Sequence, residues 1–399
     1  MKIVIASAFH GGSHEAWASG FARHSRNEVG LVTLPAQFWK WRMQGAAQVF
    51  APRIRAMAGR TDVLLATDMC DLATLLGLTR GPEAPVAAAA YFHENQLTYP
   101  LPDDPTTGPM RRQHGERDLH YALINYNTLL AADLAIWNSQ FHLDQFLGEL
   151  PRMLRRFPDE TETLPTEELR AKCLVLPPGI EIDLDPVSGR GAGDSPLVLY
   201  SQRWEYDKNP SELLEALYAL QEDGIAFRVA LCGENQRREP TEFLAARDRL
   251  GDRLVQFGRA DERRYRQLLR EADIVVSTAR HEFFGIAVAE ACAHGAFPVL
   301  PRRLAYPELI PVEYHEACLF DGDGSSGEER PHDREKREPR GRDLKGRLRF
   351  AIEEVPMRRK AAEAIARSMH RFAWTSLAPQ YDAALESLPE RRRRSSDRA

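Results

Sequence analysis

The sequence predicts an α/β protein made of two doubly wound, Rossmann-like domains. Three observations lead there. The chain has 399 residues, and at roughly 100–200 residues per domain that length suggests two. Short apolar, β-branched runs alternate with longer amphipathic stretches, the pattern of parallel sheets covered on both faces by helices. The alternation breaks once, at a glycine-bearing polar segment near the middle, and then starts again.

In the first domain, residues 1–180, the strand runs are Lys2 to Ala6, Asp62 to Ala66, Val86 to Phe92 and Asp133 to Asn138. Residues 181–195 read as a linker between Pro177-Pro178-Gly179 and Ser195-Pro196, with Gly189, Gly191 and Gly193 inside it. Those glycines precede a strand instead of following one, which argues against a dinucleotide fingerprint. The second domain, 196–375, carries the runs Leu197 to Ser201, Ala226 to Cys232, Leu254 to Phe257, Asp273 to Ser277 and Phe297 to Leu300, with helical patterns such as Ser211 to Leu220 between them. A final helix is expected over 376–389. Residues 390–399, with five Arg and two acidic residues, read as a basic, disordered tail. Gly322 to Lys345 is almost devoid of apolar side chains and reads as a mobile loop.

Composition narrows the function classes. Lys and Arg number 53 against 58 Asp and Glu, a formal charge of −5, which excludes a bulk polycation. Cys70, Cys173, Cys232, Cys292 and Cys318 show neither metal-ligand nor redox spacing, so a reducing, cytoplasmic setting fits. No apolar stretch approaches the ~20 residues of a membrane-spanning helix, and the run after Met1 stops too early for a signal peptide. Asp321-Gly322-Asp323 has the spacing of some metal sites, but it sits in a polar loop without a third oxygen ligand, and no metal is expected.

The segment Ser277 to Glu290 follows a strand and reads as strand, turn, helix. In doubly wound sheets ligands bind beyond the carboxyl ends of the strands. There the backbone amides of Phe284, Gly285 and Ile286 would open a helix and attract phosphate. Glu282 and Glu290 are eight residues apart, about 12 Å if both are helical at ~1.5 Å per residue. That distance suits one carboxylate on a sugar and one on a ribose, with a diphosphate between. Two ordinary helix carboxylates are the bland alternative, but the apolar surroundings of Glu290 make a free carboxylate costly. After the first strand of the second domain, Arg203 and Lys208 lie five residues apart, placed to neutralise a diphosphate leaving group. A pair of exposed basic residues is the alternative.

In the first domain Gly11 and Gly12 follow strand one and permit a tight turn against a ligand. His93-Glu94-Asn95-Gln96, bounded by aromatics, suggests a lined pocket in which His93 exchanges a proton with a hydroxyl. Phe38-Trp39-Lys40-Trp41-Arg42 interleaves aromatics with cations, as base stacking and phosphate binding require. Trp39 and Trp41 as anchors of a domain face are the competing reading. Other basic clusters are Arg111, Arg112 and Arg117, and Arg152, Arg155 and Arg156.

Together these segments resemble the GT-B-type retaining glycosyltransferases and, more closely, the tRNA-queuosine α-mannosyltransferases. The matching stretches are Gly11-Gly12-Ser13-His14, Pro35-Ala36 with Trp39 to Arg42, Tyr91 to Pro100, Arg203 to Lys208, Ser277 to Glu290 and Tyr306-Pro307-Glu308. The resemblance implies two domains facing an inter-domain crevice, with GDP-mannose as donor and queuosine in a tRNA anticodon loop as acceptor. It implies that Arg203 and Lys208 bind the donor diphosphate, together with Gly11, Gly12 and the Phe283 to Ile286 turn. Glu282 would take the donor sugar, Glu290 the ribose, and His93 would face the reacting sugar. His14, Trp39, Trp41, Arg42, Glu94 and Asn95 would serve the acceptor, and no metal would be required. Two alternatives stay open: the same chemistry on a lipid, glycan or metabolite, and a sugar-nucleotide or tRNA binding protein without turnover.

Overall fold

A computed structural model describes residues 1–57, 59–82, 84–100, 119–157, 159, 166–182, 195–235, 240–322 and 342–390. The chain divides into two compact units, one of residues 1–180 and 372–399, the other of 181–371. The linker glycines 189, 191 and 193, the arginines 111, 112 and 117, residues 323–341 and the tail from 391 lie outside the described residues.

The first unit holds a sheet of six described strands: β1 (Lys2–His10), β2 (Glu28–Pro35), β3 (Val63–Thr67), β4 (Ala87–Phe92), β5 (Leu134–Trp137) and β6 (Cys173–Val175). All pair in parallel in the order β2-β1-β3-β4-β5-β6. Strand β3 and strand β4 are buried along their whole length, as parallel strands covered on both faces must be. The second unit repeats the plan with β7 (Leu197–Ser201), β8 (Arg228–Cys232), β9 (Leu254–Gly258), β10 (Ile274–Val276), β11 (Phe297–Pro301) and β12 (Leu319–Phe320). Its parallel order is β12-β11-β10-β7-β8-β9.

Strand order reverses between β1 and β3 in the first sheet, and between β7 and β10 in the second. At such a reversal the helices that follow the two strands lie on opposite faces, leaving a gap beyond the strand ends where ligands settle. Of these four strands, β1 is followed by the candidates Gly11 and Gly12, β7 by Arg203 and β10 by Glu282.

The chain passes from the second unit to the first between Arg371 and Phe372, and the last helix runs Trp374–Glu386. This helix packs on the first unit. Trp374 fills a slot at Gly20 and Gly179, where an added Cβ would lie 2.2 Å from the indole. The Tyr381 hydroxyl donates to the carbonyls of Leu176 and Pro177, each at 2.9 Å. Asp382 accepts from Ser25 Oγ, the Arg26 amide and Asn27 Nδ2. Among the described residues no helix is long and apolar enough to cross a membrane.

Candidate active site

In the second unit, the turn after β7 is held rigid from below. Gly233 passes so close that a Cβ there would lie 2.0 Å from the Gln202 carbonyl. Trp204 is buried and stacks on Phe243 with centroids 4.0 Å apart. A short 3-10 turn, Tyr206–Lys208, then leads to Asn209 in the left-handed region, and Pro210 opens the helix Pro210–Glu222. Asn tolerates that backbone better than most residues, and Pro suits the first helical position.

This turn sends its two cations in different directions. The Arg203 side chain remains 54% exposed, whereas that of Lys208 is 8% exposed. Lys208 Nζ donates to the His281 carbonyl at 2.7 Å and lies 3.1 Å from Asp207 Oδ2 and 3.5 Å from Glu282 Oε2. The Asp207 carbonyl in turn accepts from the Arg280 and His281 amides at 2.8 and 3.3 Å, and Thr278 Oγ1 donates to the Lys208 carbonyl at 2.9 Å. The turns following β7 and β10 are thus laced into one body, with a buried cation between two carboxylates. Burial pushes the His281 imidazole down to about 4, helped by the charges of Lys208 and Arg203.

Glu282 departs from the expected geometry. The helix spans Ile286–Ala293, with Gly285 in the left-handed region before it at φ 91°. Glu282 therefore precedes the helix, and the straight-helix spacing to Glu290 does not apply. Its Oε1 accepts from the amides of Phe283 and Phe284 at 3.1 and 3.3 Å, so the Phe284 amide is not open as expected. The donors that helix geometry leaves without an intrahelical acceptor are those of Ile286, Ala287 and Val288. Burial alone would raise the Glu282 carboxyl, but Lys208, the Phe284 amide and His281 hold it below its ordinary value.

Glu290 accepts from the Tyr265 hydroxyl at 2.9 Å. Burial raises its pKa against that bond. Ser277, just past β10, lies 2.6 Å from the Tyr306 hydroxyl and accepts from Gln202 Nε2 at 2.7 Å. The Tyr306 ring covers Gly285, where a Cβ would come within 3.0 Å of Cε1. Asp207 and Tyr265 give no signal in the sequence because only the fold supplies their partners.

In the first unit, Gly11 packs where a Cβ would meet that of Ala36 at 2.6 Å, and Gly12 has φ 55°. The helix Gly12–His24 begins there and carries His14 in its first turn. His14 is buried and its ring lies 4.0 Å from that of His93, tilted by 30°. Trp17 and Tyr91 meet His93 edge-on at 5.0 and 4.6 Å. His93 Nε2 is buried and has no hydrogen-bond partner among the described residues. Burial, then His14 and His142, lower its pKa well below the ordinary value; the imidazole is neutral at physiological pH.

Three buried side chains clamp the loop around His93. Asp68 Oδ1 accepts from its amide at 2.9 Å, Asn138 Nδ2 donates to its carbonyl at 2.8 Å, and Asn125 Oδ1 accepts from the Gln96 amide at 2.7 Å. Glu94 accepts from Gln96 Nε2 at 3.0 Å. Asn95 is fully buried, and its side chain is taken up by the Thr98 amide and hydroxyl. It shapes the loop and does not line a surface.

Trp39 and Trp41 part company. Trp39 turns inward onto Tyr121, with centroids 5.0 Å apart, while Trp41 is 72% exposed. Arg42 Nε donates to the Pro35 carbonyl at 3.2 Å. Asp321 pairs with Arg302, and Asp323 is outside the described residues. Among the described residues no three His, Cys, Asp or Glu side chains gather as metal ligands.

Residues 2–180 match the family model for the tRNA-queuosine alpha-mannosyltransferase N-terminal region, and residues 183–320 match that for glycosyl transferases group 1. Over 324 residues the chain is 36% identical to a tRNA-queuosine alpha-mannosyltransferase from Drosophila melanogaster, covering 78% of this chain and 82% of that protein. Among solved structures, a glycosyltransferase from Rickettsia africae superposes with a TM-score of 0.64 at 14% identity, covering 97% of both chains. Sucrose-phosphate synthase from Thermosynechococcus elongatus does so with 0.63 at 14%, covering 97% of this chain and 98% of that one. These two likenesses speak to the fold, which is GT-B. Identity and coverage of that order, with both family models in sequence along the chain, make this glycosyltransferase a member of the tRNA-queuosine alpha-mannosyltransferase family.

Proposed function

We propose that the protein transfers mannose from GDP-mannose to the cyclopentenediol of queuosine in a tRNA anticodon loop, with retention of configuration, in the cytoplasm. The observation that carries the reading is the pairing of Lys208 with Glu282 at the switch point of a group 1 glycosyltransferase fold. Family membership supplies the acceptor. Five free cysteines accord with a reducing compartment.

In this reading the anomeric C–O bond to the β-phosphate breaks and a bond to the queuosine hydroxyl forms on the same face. The departing phosphate oxygen takes the hydroxyl's proton, giving GDP and mannosylated tRNA, and no covalent nucleophile is needed. Stabilising the charge that grows on the diphosphate is then the main catalytic task. Arg203, exposed after β7, reaches for the phosphates. Lys208 adds a cation from within, its charge shared with Asp207 and Glu282, and the amides opening the Ile286–Ala293 helix complete the set. These groups supply the positive charge without a metal. Glu282, kept ionised by Lys208, accepts from mannose hydroxyls, and Glu290, steadied by Tyr265, accepts from the ribose. On the first unit a neutral His93 is the candidate hydrogen-bond partner of an acceptor hydroxyl, and it brings no charge to that group.

Incubation with GDP-mannose and queuosine-containing tRNA, followed by digestion to nucleosides, should show a hexose mass gain on queuosine. Glu282→Gln should lower the rate roughly 100- to 1000-fold, the scale of losing one preorganised charge-stabilising group. Donor binding without mass gain in folded enzyme would leave a binding protein, and hexose transfer to another class of acceptor would overturn the tRNA assignment.

A further inference from the structure

The exposed face that begins at Phe38 is not spent on folding. The helix Trp39–Arg55 buries Met43, Ala46, Ala47, Phe50, Ala51 and Ile54 against the core. Its outer side presents Trp41, 72% exposed, beside Phe38, 71% exposed. Phe38 also holds a left-handed backbone at φ 54°, a conformation that costs a bulky residue about 1–2 kcal/mol. A glycine or asparagine would serve the turn better, so the ring is retained at a penalty to stability.

Charge on this helix is one-sided. Its sequence contains Lys40, Arg42, Arg53 and Arg55 and no acidic residue, in a chain of net charge −5. Arg42, Arg53 and Arg55 donate to the backbone carbonyls of Pro35, Thr33 and Leu78. Lys40 lies 5.6 Å from the Trp39 and Tyr121 rings. Among the described residues none of the four forms an ion pair with a carboxylate. Carbonyls orient these cations without neutralising them, so the field along the helix is free to act on an anionic ligand.

We infer that this surface docks the single-stranded bases and backbone of the tRNA anticodon loop, with Phe38 and Trp41 as stacking platforms and Lys40, Arg42, Arg53 and Arg55 as the phosphate track. Trp39 is the anchor that holds the platform on Tyr121 and does not itself stack. The inference rests on the tRNA reading above and adds to it the residues that grip the acceptor. Single-stranded nucleic acid is the chemistry that uses aromatic faces and unpaired cations side by side. A membrane surface suits the pattern less, because the apolar stripe of this helix is already buried in the core and two rings offer little area for insertion.

The test is the affinity of a fluorescein-labelled anticodon stem-loop transcribed without queuosine, read by anisotropy with no GDP-mannose present. Trp41→Ala and Phe38→Gly should each weaken binding roughly 5- to 100-fold, the worth of one stacked base. Phe38→Gly suits the left-handed backbone, so its melting temperature should equal or exceed that of the wild type, which separates lost stacking from lost folding. Arg53→Gln with Lys40→Gln should reduce the slope of log affinity against log salt by about 0.7 for each phosphate no longer neutralised. Unchanged affinity in Trp41→Ala and Phe38→Gly overturns the inference, as does a wild type that fails to bind the stem-loop. So does loss of binding to phosphatidylserine vesicles in these variants while stem-loop binding survives. The probe carries no queuosine, so failure of mannosyl transfer leaves this readout intact, and failure here leaves the transfer assay intact.

Discussion

Gly285→Ala places a methyl group in the turn that opens the Ile286–Ala293 helix, and its cost can be worked out from two terms. The backbone there has φ 91°, and an L-residue on the left-handed side costs about 1–2 kcal/mol. The new Cβ would also stand 3.0 Å from Tyr306 Cε1, tighter than a comfortable contact. Tyr306 cannot simply tilt away, because its hydroxyl is tied to Ser277 at 2.6 Å. Breaking that bond costs about 1 kcal/mol more. The sum, about 2–3 kcal/mol, corresponds to a drop of about 4–12 °C for a unit of this size. Scanning calorimetry of the whole chain should show it in the transition that added GDP moves upward. Tyr306→Phe releases the ring, so in that background Gly285→Ala should cost only the backbone term. Gly285→Ala that melts with the wild type, or that loses equally in both backgrounds, would refute the account of this turn.

Three further outcomes follow from other features. Tyr265→Phe removes the hydroxyl that donates to Glu290 and should raise KM for GDP-mannose roughly 10-fold with kcat less affected, because the bond to a carboxylate is worth about 1.5–3 kcal/mol and part of it is replaced by water. His281 has its pKa lowered to about 4 from 6.5, so the folded state binds fewer protons than the unfolded state between those values. Stability from this group is therefore present above about pH 6.5 and lost as pH falls toward 4, by up to about 3 kcal/mol; His281→Gln should flatten the pH dependence of urea unfolding over that window, and an unchanged profile would remove His281 as its source. Trp374→Ala empties the slot at Gly20 and Gly179 and should destabilise the first unit by about 3–5 kcal/mol, seen as early protection loss in hydrogen exchange of residues 1–180 with the second unit unaffected.

How much of the fold is legible in the sequence follows from burial. The central strands read cleanly because both of their faces are apolar, and Leu197 to Ser201 coincides with β7. Strands β2, β6 and β12 escape the pattern, and all three stand at sheet edges. Strand β2, Glu-Val-Gly-Leu-Val-Thr-Leu-Pro, is half-exposed, so its pattern is diluted where solvent replaces a neighbour, while β12 has only two residues. Lys208 and Glu282 are legible because their chemistry falls just past strand ends, where the fold concentrates ligands. Asp207 and Tyr265 are not, since a buried acid and a tyrosine acquire meaning only through partners remote in sequence. Asn95 misleads by composition: it looks like a pocket residue, yet the spacing Asn95-x-x-Thr98 is that of a local side-chain-to-backbone turn. Trp39 and Trp41, two residues apart on a helix, have to face different ways, but which one turns inward depends on Tyr121, far downstream in the chain.

The Trp374 slot also bears on how the molecule is made. The first unit borrows its last layer from the far end of the chain, whereas residues 181–371 are contiguous. During translation the segment that covers Gly20, Phe21 and Gly179 emerges after both sheets have left the ribosome, so the unit synthesised first is the one finished last. The first unit waits, with an uncovered aromatic seam, until the second is already complete.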